Sequence, residues 1–523
     1  MDSIDSINPS LARRGFLAVS GLSAAGIATA SLPAARIRTP KINGYPFTLG
    51  VASGEPTSHG VVLWTRLAPS PLDPDGGMPN SNYKVRWIVA DDCNLKHVVR
   101  TGVATATPEW AHSVHVEVEG LLPAWDYYYA FEIDGERSPI GHTRLAPGAG
   151  WNIPAMKIAH VSCQNFEEGY YRAYRDIAEQ DLDIVFHLGD YIYESNPRPG
   201  RSRLHSNTEP YDLAGYRVRL SQYKTDPDLQ AAHAAHAWGV TWDDHEVDND
   251  YTATTNQDKG TQDTFLVRRN AAYQAYWENM PLPNRVRQDY VLYRRLRYGK
   301  LAEFSILDTR QYRDSHACDD NGVTSGQFAT CSENQEPTRS VLGAPQRDWL
   351  LKGFRNAKTH WNVFPQQILM AQLNFNAGPD LKYWNEFWDS YGAERRTVLQ
   401  AMYDRKLSNP VVLTGDIHAF LINDLHTDFR DPNSPVVATE LVGTSISTVL
   451  PVPFPTIVGA AIPNNPHIKL FDCNYRGYIL STITQEDWTA ELRAVRDFTK
   501  RDSEMFLHSK WVIEDGTPGA VKA

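Results

Sequence analysis

Across residues 45–147 apolar and polar positions alternate in short runs, separated by turn signals such as Asp134-Gly135. Such alternation suits a half-buried strand, whose successive side chains leave opposite faces of a sheet. Strands are predicted at 61–64, 83–89, 114–118 and 127–133, and no segment of helical period interrupts them. The pattern predicts a β-sandwich over 45–147. The segment holds no tight His, Asp or Cys cluster, so its predicted role is structural or substrate-shaping.

After Trp151 the period changes. Apolar runs at 157–162, 183–188, 237–241, 303–307, 362–365 and 410–413 alternate with helical stretches, the first at 170–180. Repeated strand–helix–strand units predict an α/β layer architecture with a largely buried sheet over 151–515. Residues 312–339 are polar and read as a long loop, in which Cys318 and Cys331 form either a disulfide or two free thiols. Residues 445–462 lack charge but carry Pro451, Pro453 and Pro455, which predicts loop and not a membrane span.

With 523 residues, 42% hydrophobic and 22% charged, the chain has globular proportions, and its length suggests roughly two or three domains. A net charge of -11 argues against broad nucleic-acid binding but leaves a small anionic substrate open, since a metal supplies local positive charge. The 14 Trp suit packed β-structure or clefts for organic groups. Five Cys are too few for a disulfide scaffold. Arg13-Arg14-Gly15-Phe16-Leu17 opens a small-residue stretch uncharged until Arg36, the pattern of a twin-arginine export signal over 1–35. Cleavage is expected at Ala28-Thr29-Ala30 or near Pro33-Ala34-Ala35. The expected partner is the twin-arginine translocase and the expected location periplasmic or secreted. The alternative, a permanent N-terminal anchor, suits the small residues and Gly less well. Twin-arginine export carries folded proteins, so a cofactor is loadable beforehand.

In α/β sheets ligands bind beyond the carboxyl ends of strands. Here those ends read Ser162-Cys163-Gln164-Asn165, Leu188-Gly189-Asp190-Tyr191-Ile192-Tyr193, Trp242-Asp243-Asp244-His245-Glu246, Pro365-Gln366-Gln367 and Thr414-Gly415-Asp416-Ile417-His418. Asp190, Asp244 and Asp416 would repel one another on one rim, so the cluster needs cations, and carboxylates favour hard ones. Cys163 and Tyr193 would add a thiolate and a phenolate. A phenol ionises at neutral pH only beside a strong Lewis acid such as trivalent iron. A lone zinc is disfavoured, because neither C-x-x-C nor H-E-x-x-H occurs.

Gly189-Asp190 with Tyr193, then Asp244-His245-Glu246, then Gly415-Asp416 with His418, resemble the ordered motifs of the metallophosphoesterase (calcineurin-like) superfamily. Together with Leu307-Asp308-Thr309-Arg310-Gln311-Tyr312 and Gly443-Thr444-Ser445-Ile446-Ser447, they resemble the PhoD-type alkaline phosphatase family over nearly the whole chain. The resemblance implies a four-layer α-β-β-α catalytic domain after a fibronectin-III/Ig-like sandwich, whose corner Leu121-Leu122-Pro123 with Tyr127 also fits. It implies iron(III) with calcium. Cys163, Asp190, Tyr193 and His418 would hold iron, with Asp190 bridging. Asp244 and Asp416 would face calcium, and Asn249 would be a further calcium ligand. The superfamily's separate His between the third and last motifs has no counterpart, and Gln366 and Gln367 fall near its place.

The activity implied is hydrolysis of phosphate mono- and diesters, serving phosphate supply, by a metal-activated water attacking phosphorus in line. The alternative within the same fold is phospholipase-D-like or wall-polymer diester cleavage, and a third reading is a non-catalytic metal-bound binding module. His245, directly after Asp244, is expected to protonate or stabilise the leaving alkoxide. Arg310 is read either as a bidentate clamp on substrate phosphate or as a salt bridge to a nearby Asp. His187 is expected to be a packed, hydrogen-bonded His. Trp384, Phe387 and Trp388 are expected in core or cleft wall. Residues 449–457 either rim the cleft, which would suit a lipid or polymer tail, or pack on the surface.

Overall fold

The computed structural model describes residues 40–258, 261–319, 325–329, 331–431 and 433–523. The export-signal reading of 1–35 lies outside them. Two large sheets organise the rest. A 10-stranded sheet has Ala155–Val161, Ile184–His187 and Ala237–Val240 as a parallel run. A 7-stranded sheet has Ala302–Ile306, Trp361–Pro365, Pro410–Thr414 and Val436–Val442 as another. Most side chains on both faces of these strands are buried, which is why their sequences are mainly apolar. Ile184 and Phe186 pack with Phe304, Val363 and Leu413 in a cluster between the sheets. Val185, pointing the other way, packs with Tyr216, Leu220 and Tyr273 from the helices Leu213–Lys224 and Gln262–Asn279. On the far side of the second sheet, Phe364 and Val412 pack against Leu350 and Leu399 of the helices Gly343–Asn356 and Gly392–Asp404.

The predicted N-terminal strands form as Gly60–Arg66, Tyr83–Ala90, Ser113–Glu119 and Asp126–Ile133. Leu63 packs with Val85, Val116, Tyr129 and Phe131 between two layers. The Tyr127 hydroxyl accepts a 2.9 Å bond from the Leu122 amide across the corner. One layer is not separate from the rest of the protein. Val51–Gly54 pairs in parallel with Ala237–Val240, with Ser53 opposite Ala237, so Val51–Gly54, Gly60–Arg66 and Ser113–Glu119 continue the 10-stranded sheet. Residues 40–523 accordingly form one compact unit. Alternation in sequence identifies a strand's faces but not the strand beyond its edge.

Several elements depart from the pattern-based expectation. Val98–Ala106 is a strand with mostly exposed or half-exposed side chains, so it carries little burial signal. Arg476–Thr484, Asp487–Val495 and Met505–Glu514 form an antiparallel run joined to Ala155–Val161. Residues 445–462 are not all loop, because Phe454–Ala461 is helical. Pro455 sits in its first turn, where a missing N–H leaves no helical bond unmade. Among the described residues no helix is long and apolar enough to cross a membrane.

Cys318 and Cys331 are joined as a disulfide with a sequence separation of 13. Closing a loop of this size is worth about 3 kcal/mol in the chain-entropy model. Reduction is therefore expected to speed limited proteolysis between the two cysteines markedly, and an unchanged cleavage rate would show that other contacts hold the loop.

Candidate metal centre

The strand ends turn sharply to present their side chains. Cys163, Asp190, Asp416 and His418 have φ of 58, 57, 61 and 57°, in the left-handed region that non-glycine residues rarely occupy. Strain of this kind persists where surrounding structure over-determines it, commonly at functional sites. Two glycines let the loops approach. A Cβ on Gly189, whose φ is +106°, would collide with the Asp243 Cβ, and one on Gly415 would lie 2.7 Å from the Ser162 Cβ.

The turns bring together residues far apart in the chain. Ligand atoms of Cys163, Asp190 and His418 lie within 4.8 Å of one another, as do those of Asp190, Asp244 and His245, and those of Asp190, Asp243 and Asp416. Asp190 is thus the shared corner of three groups. Tyr193 joins the first, its hydroxyl donating to Asp190 Oδ2 at 2.9 Å and lying 3.1 Å from His418 Nε2. Asp190 Oδ1 and Asp416 Oδ2 are buried without a hydrogen-bond partner. Buried carboxylate oxygens are costly to leave unpaired, so the cluster fits a set of bound cations.

Electrostatics point the same way. Burial, reinforced by Asp190, pushes the Cys163 thiol well up, and burial likewise raises the Tyr193 phenol. Burial raises Asp190 and Asp416 well above the carboxylate range, with neighbouring aspartates adding to it. Burial raises Asp243 to about 7. Burial also opposes ionisation of Asp244, but Arg310 and His245 outweigh it and hold that carboxyl below its usual range. Burial lowers His418 to about 3, leaving its imidazole neutral and able to donate a lone pair. Burial disfavours a charged His245, yet Glu194, Asp244 and Asp190 together raise it well above an ordinary histidine.

Other predicted residues sit differently. Arg310 is fully buried and pairs with Asp243, with Asp244 at 3.5 Å and with Glu386. It holds carboxylates in place and has no exposed face for a substrate clamp. Asn249 is exposed, and its side-chain amide donates to Asp250 Oδ2 at 2.9 Å. Gln366 donates to Thr414 Oγ1 at 2.6 Å, and Gln367 donates to Thr241 Oγ1 at 2.8 Å, so both pin strands. His187 is buried, accepts from the Gly189 amide at 3.3 Å and packs on Tyr191. Trp388 is core, with its indole N–H on Gln366.

The structure also gives roles to residues that had none assigned from the sequence. Glu194 binds His245 Nδ1 at 2.7 Å and accepts from the Asn249 amide at 2.9 Å. Glu386 accepts from Arg313 and pairs with His316, each at 2.6 Å, beneath Arg310. Thr448 donates to the Cys163 carbonyl at 2.7 Å, and Ser447 to the Asn165 carbonyl at 2.8 Å, so the Gly443-Thr444-Ser445-Ile446-Ser447 segment braces the Cys163 turn. Asp243 lies inside the 242–246 motif and Glu194 directly follows Tyr193, but neither had an assigned role. Glu386 had no such signal.

Glu246 is not itself among the clustered groups. Its carboxylate accepts from the amides of Asp190 at 3.2 Å and Asp243 at 2.7 Å, and from that of Tyr191. It thereby fixes two ligand-bearing turns at once. Glu246→Gln is expected to weaken metal affinity about 10–100-fold, the usual cost of losing an outer partner. Chelator competition would measure this, and unaltered affinity would remove the positioning role.

Fold and site together define an α/β protein organised around two large sheets, with a buried, metal-capable centre at the carboxyl ends of their strands. Residues 158–492 match the family model described as PhoD-like phosphatase, and residues 32–147 match its N-terminal domain. The chain is 43% identical over 494 residues to alkaline phosphatase D of Bacillus subtilis (strain 168), covering 92% of this chain and 83% of that protein. It superposes on a solved structure described as that of PhoD with a TM-score of 0.87 and 42% identity, covering 92% of this chain and 93% of that one. The chain belongs to the PhoD-like phosphatase family.

Proposed function

We propose that this protein is an exported, metal-dependent alkaline phosphatase that hydrolyses phosphate mono- and diesters for phosphate acquisition. Its enzyme class, a phosphoric ester hydrolase, accompanies the family assignment. The observation that carries the reading is Asp190 at the shared corner of three metal-capable groups. We read the sheets as the four-layer α-β-β-α metallophosphoesterase arrangement, with the N-terminal layers as its fibronectin-III-like companion.

Cys163, Asp190, Tyr193 and His418 would hold iron(III), and Asp190, Asp244 and Asp416 would hold calcium. A trivalent ion would suit the first because it is a strong enough Lewis acid to ionise the thiol and phenol, and an all-oxygen set suits the second. The bound cations would neutralise phosphate oxygens and acidify water. The chain's own part lies with His245. Glu194 fixes its Nδ1, so Nε2 is the nitrogen left to hand a proton to the leaving oxygen. Arg310 and Arg313 neutralise the Glu386 carboxylate beneath the site and keep it from adding to the site's negative charge, and His316 hydrogen-bonds to the same carboxylate.

Metal analysis of the purified protein, run beside a panel of phosphate esters, tests the reading. Iron and calcium are expected, with ester hydrolysis lost on chelation and restored on reloading. Absence of turnover in the metal-loaded protein would favour a binding module instead. The ratio of kcat/KM on monoesters and diesters decides between a general phosphatase and a lipid or wall-polymer diesterase.

A further inference from the structure

A cleft of about 160 Å³ opens beside the metal centre. Asp416 and His418 form part of its wall, so it is continuous with the place where a substrate phosphate would sit. The rest of the lining is mainly apolar: Phe375, Trp384, Phe387, Leu450, Phe454 and Val458. Any phosphate held at the metals brings its organic group into whatever space adjoins them. We infer that this cleft is a subsite for the organic group of the ester, and that it selects an uncharged apolar moiety the size of one aromatic ring or a short alkyl chain. The inference rests on the phosphoesterase reading above and adds to it the class of alcohol.

Three features set that class. Size comes first: a cavity of about 150 Å³ lined by apolar side chains accommodates benzene. Charge is second. The ionisable residues lining the cleft are Asp250, Glu386, Asp416 and His418, with no Lys or Arg among them. A second phosphate or carboxylate on the organic group would find no cationic side chain to pair with there. Rigidity is third. Trp384 lies in the short strand Lys382–Trp384, where it pairs with Gln327 of Gln327–Ala329. Its neighbour Asn385 exchanges two further bonds with Gly326, at 2.8 and 3.1 Å. The Trp384 ring meets Phe454 edge-on, with centroids 4.8 Å apart. A wall already fixed in place loses little entropy when a ligand enters. Phe454 comes from the helix Phe454–Ala461, so the two walls belong to different parts of the chain.

The test uses the metal-loaded enzyme and a series of phosphonates that bind without being hydrolysed. Inhibition constants are measured for methyl- to hexylphosphonate, phenylphosphonate and 3-phosphonopropanoate, with p-nitrophenyl phosphate hydrolysis as reporter. Inhibition is expected to tighten about threefold per added methylene until the cleft is filled. Phenylphosphonate should follow the longer alkyl members, and the carboxylate-bearing compound should gain nothing over methylphosphonate. Trp384→Ala and Phe454→Ser, on separate elements, are each expected to shrink the hexyl-to-methyl difference several-fold. Inhibition indifferent to chain length, with the reporter still turned over, would overturn the subsite alone. Absence of hydrolysis of any ester would overturn the phosphoesterase reading, and the subsite with it.

Discussion

Asp190→Asn is expected to lower kcat/KM for phosphate esters by about 10³-fold or more, because each metal contributes several kcal/mol of charge stabilisation. Every other clustered residue belongs to one group, whereas Asp190 belongs to three, so this change reaches every cation the centre would hold. The amide keeps the size and planarity of the carboxylate. Asn also tolerates left-handed backbone better than other non-glycine residues, and Asp190 has a φ of 57°. The fold should therefore survive. Without metal, the variant is expected to be about as stable as the parent, because a neutral amide replaces a carboxyl that burial already holds away from ionisation. Lost activity with lower metal content and an undiminished Tm is the expected combination. Parent-like activity would show that the three groups do not share Asp190 as a ligand, and with it the central reading would fail.

His245→Ala is expected to reduce kcat by about 10²–10⁴-fold on esters with poor leaving groups, the range for losing a general acid. The loss should be much smaller on esters of acidic alcohols such as p-nitrophenol, whose oxygen leaves without a proton. That contrast separates a proton donor from a residue that merely shapes the pocket. Glu194 supplies an internal check. It holds His245 Nδ1 at 2.7 Å, so Glu194→Gln should show the same leaving-group contrast with a smaller loss. Metal content should stay near the parental value in both. An equal loss on good and poor leaving groups would remove the proton-donor role.

The strands that carry the chemistry are written in the order of the amino acids. Ile184–His187, Ala237–Val240 and Pro410–Thr414 are buried on both faces, and that burial leaves an uninterrupted apolar run. A polar residue at the end of such a run is conspicuous, which made Cys163, Asp190, Tyr193, Asp244, Asp416 and His418 legible in order. Their distances were not legible, because register and sheet order are set by pairings between separate segments and the strand ends come from two different sheets. Folding in three dimensions was needed to show that Asp243 clusters with Asp190 and Asp416, that Arg310 is locked among carboxylates and that Glu386 lies beneath it. The same holds for Val51–Gly54 joining the 10-stranded sheet. Local pattern records whether a side chain is buried. It does not record which distant side chain shares that burial, and in a low-dielectric interior the identity of the neighbour decides whether a charge is paired, repelled or left for a metal.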